Sequence, residues 1–273
     1  KAGHDWDLQT LRWLDELGYS EAWIGEHHTA PWEPHPAPDL IIAQALLQTK
    51  RLRIGPGGFL LPYHHPAELA NRVAMLDHLS DGRLMFGVAA SGLPSDWAMF
   101  GVDGMSGENR RMNREALEMI LRLWSDEPSF EQKGEFWTVA KPELMFGFLN
   151  PHIKPLQQPH PPIWIPGARS TETQIEIAKR GYSYFLSSRS HGREIAKARV
   201  GFANVLQQNG VEYHPFRMGI LMSVHVGETD EQAEAESREG VWYFLKNCLK
   251  GHLRSDKGRT LTWGPGIPNM PLD

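Results

Sequence analysis

Several features that would place this 273-residue chain in a specialised class are scarce or missing. The single cysteine, Cys248, excludes an internal disulfide and fits a reducing compartment. No apolar stretch approaches the ~20 residues that a membrane-spanning helix needs, and no secretory signal opens the sequence. We therefore expect a soluble, cytoplasmic protein that has no membrane partner.

Positive charge is also scarce. The 28 Lys and Arg residues are outnumbered by 33 Asp and Glu residues, which gives a formal net charge of −5, and no basic cluster offers a surface for nucleic acid. The GxGxxG fingerprint of dinucleotide-binding folds is missing as well. What the chain does contain is 41% hydrophobic residues, enough for the core of one α/β barrel or of two smaller domains.

The stretch 21–29, EAWIGEHHT, sets the pattern by which we interpret the rest of the chain. A helical pattern upstream ends at Gly18, a short apolar run predicts a buried strand, and a polar segment follows. Strands of this kind are predicted at 22–24, 52–61, 84–88, 163–165, 182–186 and 216–226, with helices or helix-bearing connections between them. Such alternation is typical of parallel α/β folds, in which functional groups collect at the carboxyl ends of the strands.

We predict an α/β fold, a single TIM (β/α)8 barrel domain over residues 1–273 that is truncated and lacks its first and eighth strands. A doubly wound sheet fits less well, because every polar segment follows the carboxyl end of its strand and the dinucleotide fingerprint is missing. Alternating residues over 130–139 predict a β-hairpin, and the proline-rich run 144–162 predicts a loop over one face. Residues from about 130 to 162 therefore form the expected excursion from the barrel.

Glu26, His27 and His28 place a carboxylate and two imidazoles at the end of the first predicted strand. Adjacent histidines on an extended chain point to opposite sides and do not normally share an ion, so we predict no metal site. A histidine, with an ordinary pKa of about 6.5, can donate or accept a proton near neutral pH. His27 is therefore the candidate catalytic residue, with Glu26 orienting its ring or the surrounding backbone. The alternative is a structural histidine bonded by Glu26.

Two glycines, Gly57 and Gly58, lie inside a predicted strand that glycine should weaken. They indicate either the close approach of a planar ligand, an unusual peptide geometry or a simple bulge. His64 and His65 follow in a loop of the kind that exposed histidines commonly occupy, and they are weaker candidates for function.

The segment 167–173, GARSTET, has the composition of an anion site. Small residues leave backbone N–H groups free, hydroxyls follow, and a helix N-terminus adds partial positive charge. Arg169 favours phosphate as the anion. The alternative is that Ser170 or Thr171 only caps the helix.

Four stretches, in order and across nearly the whole chain, together resemble the bacterial luciferase-like, flavin-dependent monooxygenases, especially the limonene and alkane monooxygenase branch. They are GYSEAWIGEHH (18–28), RIGPGGFLLPYHHPAELANRVAMLDHLSDGRLMFGVA (53–89), GLPSDW (92–97) and PPIWIPGARSTET (161–173). The resemblance implies a TIM barrel that binds FMN at its C-terminal rim. It places His27 on the histidine implicated in flavin oxygenation. It places Gly57 and Gly58 on a pair that, in the luciferase, a cis peptide joins beneath the isoalloxazine.

The same resemblance implies the residues that contact the cofactor. Ser170 and Thr173 fall on phosphate-contacting positions, in the segment that also contains Gly167 and Thr171. Ala89 and Ser91 lie where the luciferase has a cysteine and an arginine after its fourth barrel strand. The phosphate contact of that arginine is therefore missing, and Arg169 is expected to substitute for it.

The function implied is that of a two-component monooxygenase. Reduced FMN arrives from a separate flavin reductase, a transient partner, and one atom of O2 enters a small apolar organic substrate inside a dry pocket. We expect a homo-oligomer, a dimer. Two alternatives stay open: a deazaflavin-dependent oxidoreductase of the same superfamily, which tends to show an aspartate-histidine pair at this position, and a non-catalytic flavin-binding barrel.

Overall fold

The computed structural model describes residues 1–167, 171–186 and 192–244. The helices are α1 (Ala2–Glu16), α2 (Pro38–Gln48), α3 (Pro66–Leu79), α4 (Pro94–Phe100), α5 (Glu108–Trp124), α6 (Thr171–Arg180), α7 (Gly192–Gln208) and α8 (Asp230–Tyr243), and short 3-10 helices span Leu61–Tyr63 and Pro215–Arg217. The strands are β1 (Glu21–Ile24), β2 (Arg53–Pro56), β3 (Phe59–Leu60), β4 (Phe86–Ala89), β5 (Phe130–Lys133), β6 (Thr138–Lys141), β7 (Ile163–Pro166), β8 (Ser183–Leu186) and β9 (Met218–Ile220). The predicted alternation of strands and helices is confirmed.

The first compact unit comprises residues 1–91 and 96–166. Its strands pair in parallel, β1 with β2, β3 with β4, and β4 with β7. Phe59 and Phe86 are fully buried between the strands and the helices, and the ring of Phe86 also packs edge-on against Trp124 of α5 at 5.7 Å between centroids. Because the strands are parallel, their carboxyl ends point to one edge of the unit.

The single strand predicted at 52–61 is wrong, because the structure divides it into β2 and β3. β2 pairs with β1, whereas β3 pairs with β4. The break falls at Gly57 and Gly58. A Cβ at Gly58 would lie only 2.5 Å from the backbone nitrogen of Val88, so glycine is required there for the chain to approach β4.

The hairpin predicted at 130–139 is confirmed as the antiparallel pair β5 and β6. The loop that follows is attached to α3 by Asp77, which is fully buried. The Asp77 carboxylate accepts hydrogen bonds from the backbone N–H and the side-chain amide of Gln157, at 2.8 and 2.6 Å. The same amide donates to the carbonyl of Leu84 just before β4. The end of the excursion is thereby fixed at the amino ends of the strands, away from their carboxyl ends.

The second unit comprises residues 92–95 and the described residues after Pro166. Its strands β8 and β9 pair in parallel, and the buried rings of Tyr184 and Phe202 pack α7 against β8 at 4.5 Å between centroids. The strand predicted at 216–226 is much shorter than expected, since only Met218–Ile220 is extended and paired. Pro215 begins a 3-10 helix just before it, and residues 221–226 are exposed, so no packing supports a longer strand.

Among the described residues, no helix is long and apolar enough to cross a membrane. The single domain over residues 1–273 stays a prediction.

Asp15, near the end of α1, fixes the chain before β2. Its carboxylate accepts the backbone N–H groups of Lys50, Arg51 and Leu52 at 2.7 to 3.0 Å. Burial would raise the pKa of Asp15, but these hydrogen bonds outweigh it and the pKa is lowered. Because Asn is uncharged and has one acceptor oxygen, Asp15→Asn should lower the free energy of unfolding by about 1 kcal/mol in urea at pH 7. The neighbouring, exposed Glu16→Gln serves as control, and equal stability of the two variants would contradict this role.

Candidate active site

Polar side chains that follow three strands meet at one edge of the first unit. Glu26, His27 and His28 follow β1, His64 follows β3, and Asp96 lies in α4 after β4. Parallel strands bring their carboxyl ends to a common edge, which is how side chains 69 residues apart come into contact.

His27 is paired with a carboxylate that sequence reasoning did not identify. Its Nδ1 lies 2.7 Å from Oδ2 of Asp96. Because a carboxylate can only accept, the ring donates from Nδ1–H, and Nε2 carries the lone pair when the ring is neutral. Nε2 lies 3.8 Å from Oε2 of Glu33, which is partly exposed. A buried anion therefore orients the ring and leaves Nε2 as the nitrogen that can exchange a proton.

Asp96 also holds the backbone that follows His27. Its side chain is fully buried, and Oδ1 accepts hydrogen bonds from the N–H groups of His28 and Thr29, at 3.2 and 2.9 Å, and from the Thr29 hydroxyl at 2.6 Å. Burial would raise the pKa of Asp96, but the hydrogen bonds from Thr29 and His27 outweigh it and the pKa lies below its usual value. Asp96 is thus a buried anion at neutral pH.

Glu26 has partners other than the ring of His27. Its buried carboxylate contacts Nε2 of His28 at 3.0 Å and Nε2 of His64 at 2.8 Å, and accepts the backbone N–H of Leu60 at 3.1 Å. The expectation that Glu26 orients the ring of His27 is corrected, because residues 26 and 28 of an extended segment share a side and residue 27 points to the other. Burial would raise the pKa of Glu26, yet the hydrogen bonds from His28 and His64 outweigh it and the pKa is lowered.

Aromatic rings cover one side of His28. Tyr63 stacks on Phe100 with centroids 4.1 Å apart, and the ring of His28 meets both edge-on at 5.6 and 4.6 Å. Burial raises the pKa of the Tyr63 phenol to about 12, and the negative charges of Asp96 and Glu26 act in the same direction. The phenol therefore stays protonated at neutral pH, and the stack forms an apolar wall beside the imidazoles.

The two glycines of the predicted ligand contact have different surroundings. A Cβ at Gly57 would meet Ile24 and Trp23 at 3.6 Å, an ordinary contact, whereas Gly58 is required by the approach of β4. Within the described residues, the cis peptide bond is the one before Pro159, so Gly57 and Gly58 are joined in trans. The unusual peptide geometry considered for this pair is not present, and the close approach at Gly58 is to backbone. A flavin contact at either glycine stays a prediction.

Ala89 and Ser91 lie at the end of β4. Ala89 pairs with Leu60 of β3, and Ser91 has a left-handed backbone with φ of 61°. The side-chain amide of buried Asn109 donates to the carbonyls of Ala90 and Ser91 at 3.0 and 2.9 Å, which fixes this turn. Its side chains are small and partly exposed. Their contact with a cofactor stays a prediction.

The predicted anion segment belongs to the second unit. Gly167 ends β7 with a left-handed φ of 72°, and its N–H donates to the carbonyl of Phe185 at 3.0 Å, so this N–H is engaged in the sheet. Helix α6 begins at Thr171, and Thr173 lies in its first turn. Arg169 and Ser170 lie outside the described residues, as does the side chain of Thr171. A phosphate contact at these residues stays a prediction.

Asp96 and His64 are the site residues that sequence reasoning missed or ranked low. The signal for Asp96 was its place as the one charged residue in the polar segment 91–97 that follows β4. The signal for His64 was its place shortly after β3, just beyond the 3-10 helix Leu61–Tyr63. Over the part of the chain that the structure describes, no group of three or more His, Cys, Asp or Glu side chains is arranged to hold a metal ion.

Helices alternating with parallel strands, and imidazole–carboxylate pairs beyond the strand ends, define an α/β protein with an acid–base site. Residues 8–266 match the family model described as luciferase-like monooxygenase. The chain belongs to this family, which confirms the resemblance found in its sequence.

Similar proteins are known in sequence and in structure. The chain is 46% identical over 123 residues to 4-hydroxyprotoasukamycin monooxygenase of Streptomyces nodosus subsp. asukaensis, covering 45% of this chain and 33% of the relative. It is 32% identical over 254 residues to limonene 1,2-monooxygenase of Rhodococcus erythropolis, covering 90% and 62%. The chain thus spans between a third and two thirds of the length of these relatives.

A solved structure with the same fold provides an example. It is the oxygenating constituent of 3,6-diketocamphane monooxygenase from Pseudomonas putida, a type II Baeyer-Villiger monooxygenase in complex with FMN. The TM-score is 0.79 at 24% identity, and the match covers 90% of this chain and 69% of that one. The predicted α/β class of fold is confirmed by this likeness.

Proposed function

We propose that this protein is the oxygenating component of a two-component, FMN-dependent monooxygenase. One atom of O2 enters an apolar organic substrate, the other leaves as water, and reduced FMN provides the two electrons. The observation that carries this proposal is the His27–Asp96 pair, with 2.7 Å between Nδ1 and Oδ2, in a chain of the luciferase-like family. The flavin chemistry is taken from the relatives, and the proton chemistry from this pair.

His27 is assigned the proton transfer. Reduced FMN, when bound, supplies the chemistry that activates O2. Asp96 keeps a proton on Nδ1 of His27, so that Nε2 alone gains or loses one during turnover. The stacked rings of Tyr63 and Phe100 cover one side of the neighbouring His28 imidazole with apolar surface, which supports the water-poor pocket that oxygen transfer requires. This apolar wall also favours an apolar substrate, as do the limonene and camphane names of the relatives.

The phosphate of FMN is assigned to the start of α6. Gly167 has a left-handed backbone, and the ten-residue helix α6 begins four residues later, at Thr171. The N-terminus of a helix carries partial positive charge and fits an anion. Thr173 in the first turn, with Ser170, Thr171 and Arg169 before it, would hold the phosphate.

The wider architecture follows from the same assignment. The parallel strands are proposed to be part of a (β/α)8 barrel, and the protein to act as a cytoplasmic homodimer. Reduced FMN would come from a separate reductase, a proposal supported by the structural neighbour, which is described as the oxygenating constituent of its monooxygenase. The lack of a first and an eighth strand stays a prediction.

Replacing both Ser170 and Thr173 with alanine should weaken the binding of FMN far more than that of riboflavin. The two side chains are assigned to the phosphate, and each charge-assisted hydrogen bond is worth roughly 1.5–3 kcal/mol, or about tenfold or more in the dissociation constant. Fluorescence titration with both flavins measures the difference. Thr10→Ala, which removes an exposed hydroxyl from α1, is the control. An equal loss for FMN and riboflavin would place the phosphate elsewhere.

Anaerobic titrations with reduced FMN and with a reduced deazaflavin separate the proposed function from its first alternative. We expect tighter binding of reduced FMN. Tighter binding of the deazaflavin, together with hydride transfer to a carbonyl compound, would replace the monooxygenase by a deazaflavin-dependent oxidoreductase. Oxygenation of the FMN complex separates the enzyme from a non-catalytic flavin-binding barrel.

A further inference from the structure

A second chain of hydrogen bonds runs through the first unit from α2 to the ring of His28. The Asp39 carboxylate accepts from Nη1 of Arg72 at 2.5 Å, and Nη2 of Arg72 lies 2.9 Å from Nδ1 of His64. The opposite nitrogen of His64, Nε2, lies 2.8 Å from Oε1 of Glu26, the oxygen that also contacts His28 at 3.0 Å. Four elements of the sequence are linked in this way, and the His27–Asp96 pair uses none of these side chains.

The direction of every bond in this chain is fixed by chemistry. A guanidinium can only donate, so Nδ1 of His64 must be the acceptor and carries no proton. The proton of the neutral ring is therefore on Nε2, where the ionised Glu26 accepts it. Glu26 accepts in addition from His28 and from the N–H of Leu60, so both carboxylate oxygens are engaged. Reversing any one bond would set donor against donor or acceptor against acceptor.

The charges along this chain of hydrogen bonds compensate one another. Asp39 and Glu26 are buried carboxylates, and the cation between them is Arg72, which also meets partly exposed Glu68 at 2.7 Å through Nε. His64, whose side chain is 12% exposed, separates this cation from Glu26 without a charge of its own. A buried carboxylate without such partners is strongly disfavoured, so removal of Arg72 or His64 should let Glu26 move or admit water.

We propose that Arg72 and His64 are positioning residues of the site. They hold the Glu26 carboxylate in one orientation, and Glu26 in turn holds the ring of His28 against Tyr63 and Phe100. The effect on activity rests on the proposed function, whereas the bond directions rest on geometry alone. The two are therefore tested separately.

The bond directions are tested by nitrogen NMR of the protein labelled with ¹⁵N-histidine, at pH 7.5 and without cofactor. We expect the signals that His64→Gln removes to show one protonated nitrogen, Nε2, and one unprotonated nitrogen, Nδ1. In Arg72→Met the ring N–H signal of His28, three hydrogen bonds away, should shift or broaden. Arg111→Met, which breaks an exposed ion pair with Glu135, should leave it unchanged. A proton on Nδ1 of His64, or an unchanged His28 signal in Arg72→Met, overturns the proposal.

Activity is followed as the return of oxidised-flavin absorbance after the complex with reduced FMN is mixed with O2. We expect Arg72→Met to make this return about tenfold or more faster than in wild type while FMN affinity stays within about threefold, because misplaced groups affect the reaction more than binding. Arg72→Lys retains the charge but not the two-pronged donor, so it should restore only part of the wild-type delay.

The substitutions at His64 provide a second pair if Arg72→Met does not fold. His64→Gln retains an N–H donor to Glu26 and should show nearly the wild-type rate of flavin oxidation. His64→Leu should change this rate as much as Arg72→Met does. Equal rates in His64→Gln and His64→Leu overturn the proposal. If wild type itself has no effect on flavin oxidation, the proposed function fails, and the NMR result still decides the bond directions.

Discussion

His27→Ala should fold normally and bind FMN within a few-fold of wild type, yet lose about 10²–10⁴-fold in coupled oxygenation, the usual effect of removing an acid or base. Nε2 of His27 is the nitrogen that can exchange a proton, because Nδ1 is bonded to Asp96 at 2.7 Å. Alanine leaves no group there that can protonate the reacting oxygen. The variant should therefore release hydrogen peroxide in place of oxygenated product, which a peroxidase-coupled assay measures.

The control for this variant is His225→Ala. His225 is likewise paired with a carboxylate, Glu236 at 2.8 Å, but both side chains are exposed and lie in the second unit. We expect wild-type coupling in this control. Normal coupling in His27→Ala would make His27 a structural residue.

Asp96→Asn should reduce coupled oxygenation by a comparable factor, although it changes only one atom. The amide oxygen can still accept from Thr29, but the NH2 group would face Nδ1 of His27 and force that nitrogen to become the acceptor. The neutral ring would then carry its proton on Nε2, so Nε2 could not accept a proton, and the protonated ring that donates one would lose the carboxylate that stabilises it. In serine proteases the same change beside the catalytic histidine costs about 10⁴-fold. We therefore expect kcat to fall by about 10²–10⁴-fold with little change in KM. A wild-type kcat would contradict the assigned tautomer.

The stability of the protein should also depend on Asp96 through pH. The pKa of Asp96 is lowered in the folded state, so the unfolded chain binds its proton more tightly. The stability it contributes is fully present above the unfolded-state pKa of about 3.9 and is lost as the pH falls through the lower folded-state value. Urea unfolding measured from pH 7 downward should show a smaller decrease in the free energy of unfolding for Asp96→Asn than for wild type. Exposed Asp5→Asn, in the first turn of α1, is the control.

Local patterns in the sequence were sufficient to predict the order of strands and helices and the position of His27. Short apolar runs followed by polar segments mark strand ends, and the strands β1, β4, β7 and β8 lie close to the predicted positions. The length of a strand was harder to predict. The break between β2 and β3 depends on the contact of Gly58 with β4, and the short β9 on the lack of packing beyond Ile220.

The partners of the site residues could not be predicted in the same way. Asp96 lies 69 positions after His27, and no pattern within either segment specifies that they meet. The direction of each side chain is set by alternation along the extended segment after β1. Residues 26 and 28 share one side and reach His64, while residue 27 points to α4. The sequence contained this information, but only the positions of α4 and β3 show which partners it selects.

The most direct test of the proposed oxygenation chemistry is a stopped-flow measurement on the wild-type protein and on His27→Ala. The complex with reduced FMN is mixed with O2, and the return of oxidised-flavin absorbance is followed together with the yield of hydrogen peroxide. We predict that wild type delays this return well beyond that of free FMN, and that His27→Ala shortens the delay and releases peroxide early. Identical time courses for free FMN, wild type and the variant would contradict the assignment of an oxygenating flavin site to His27.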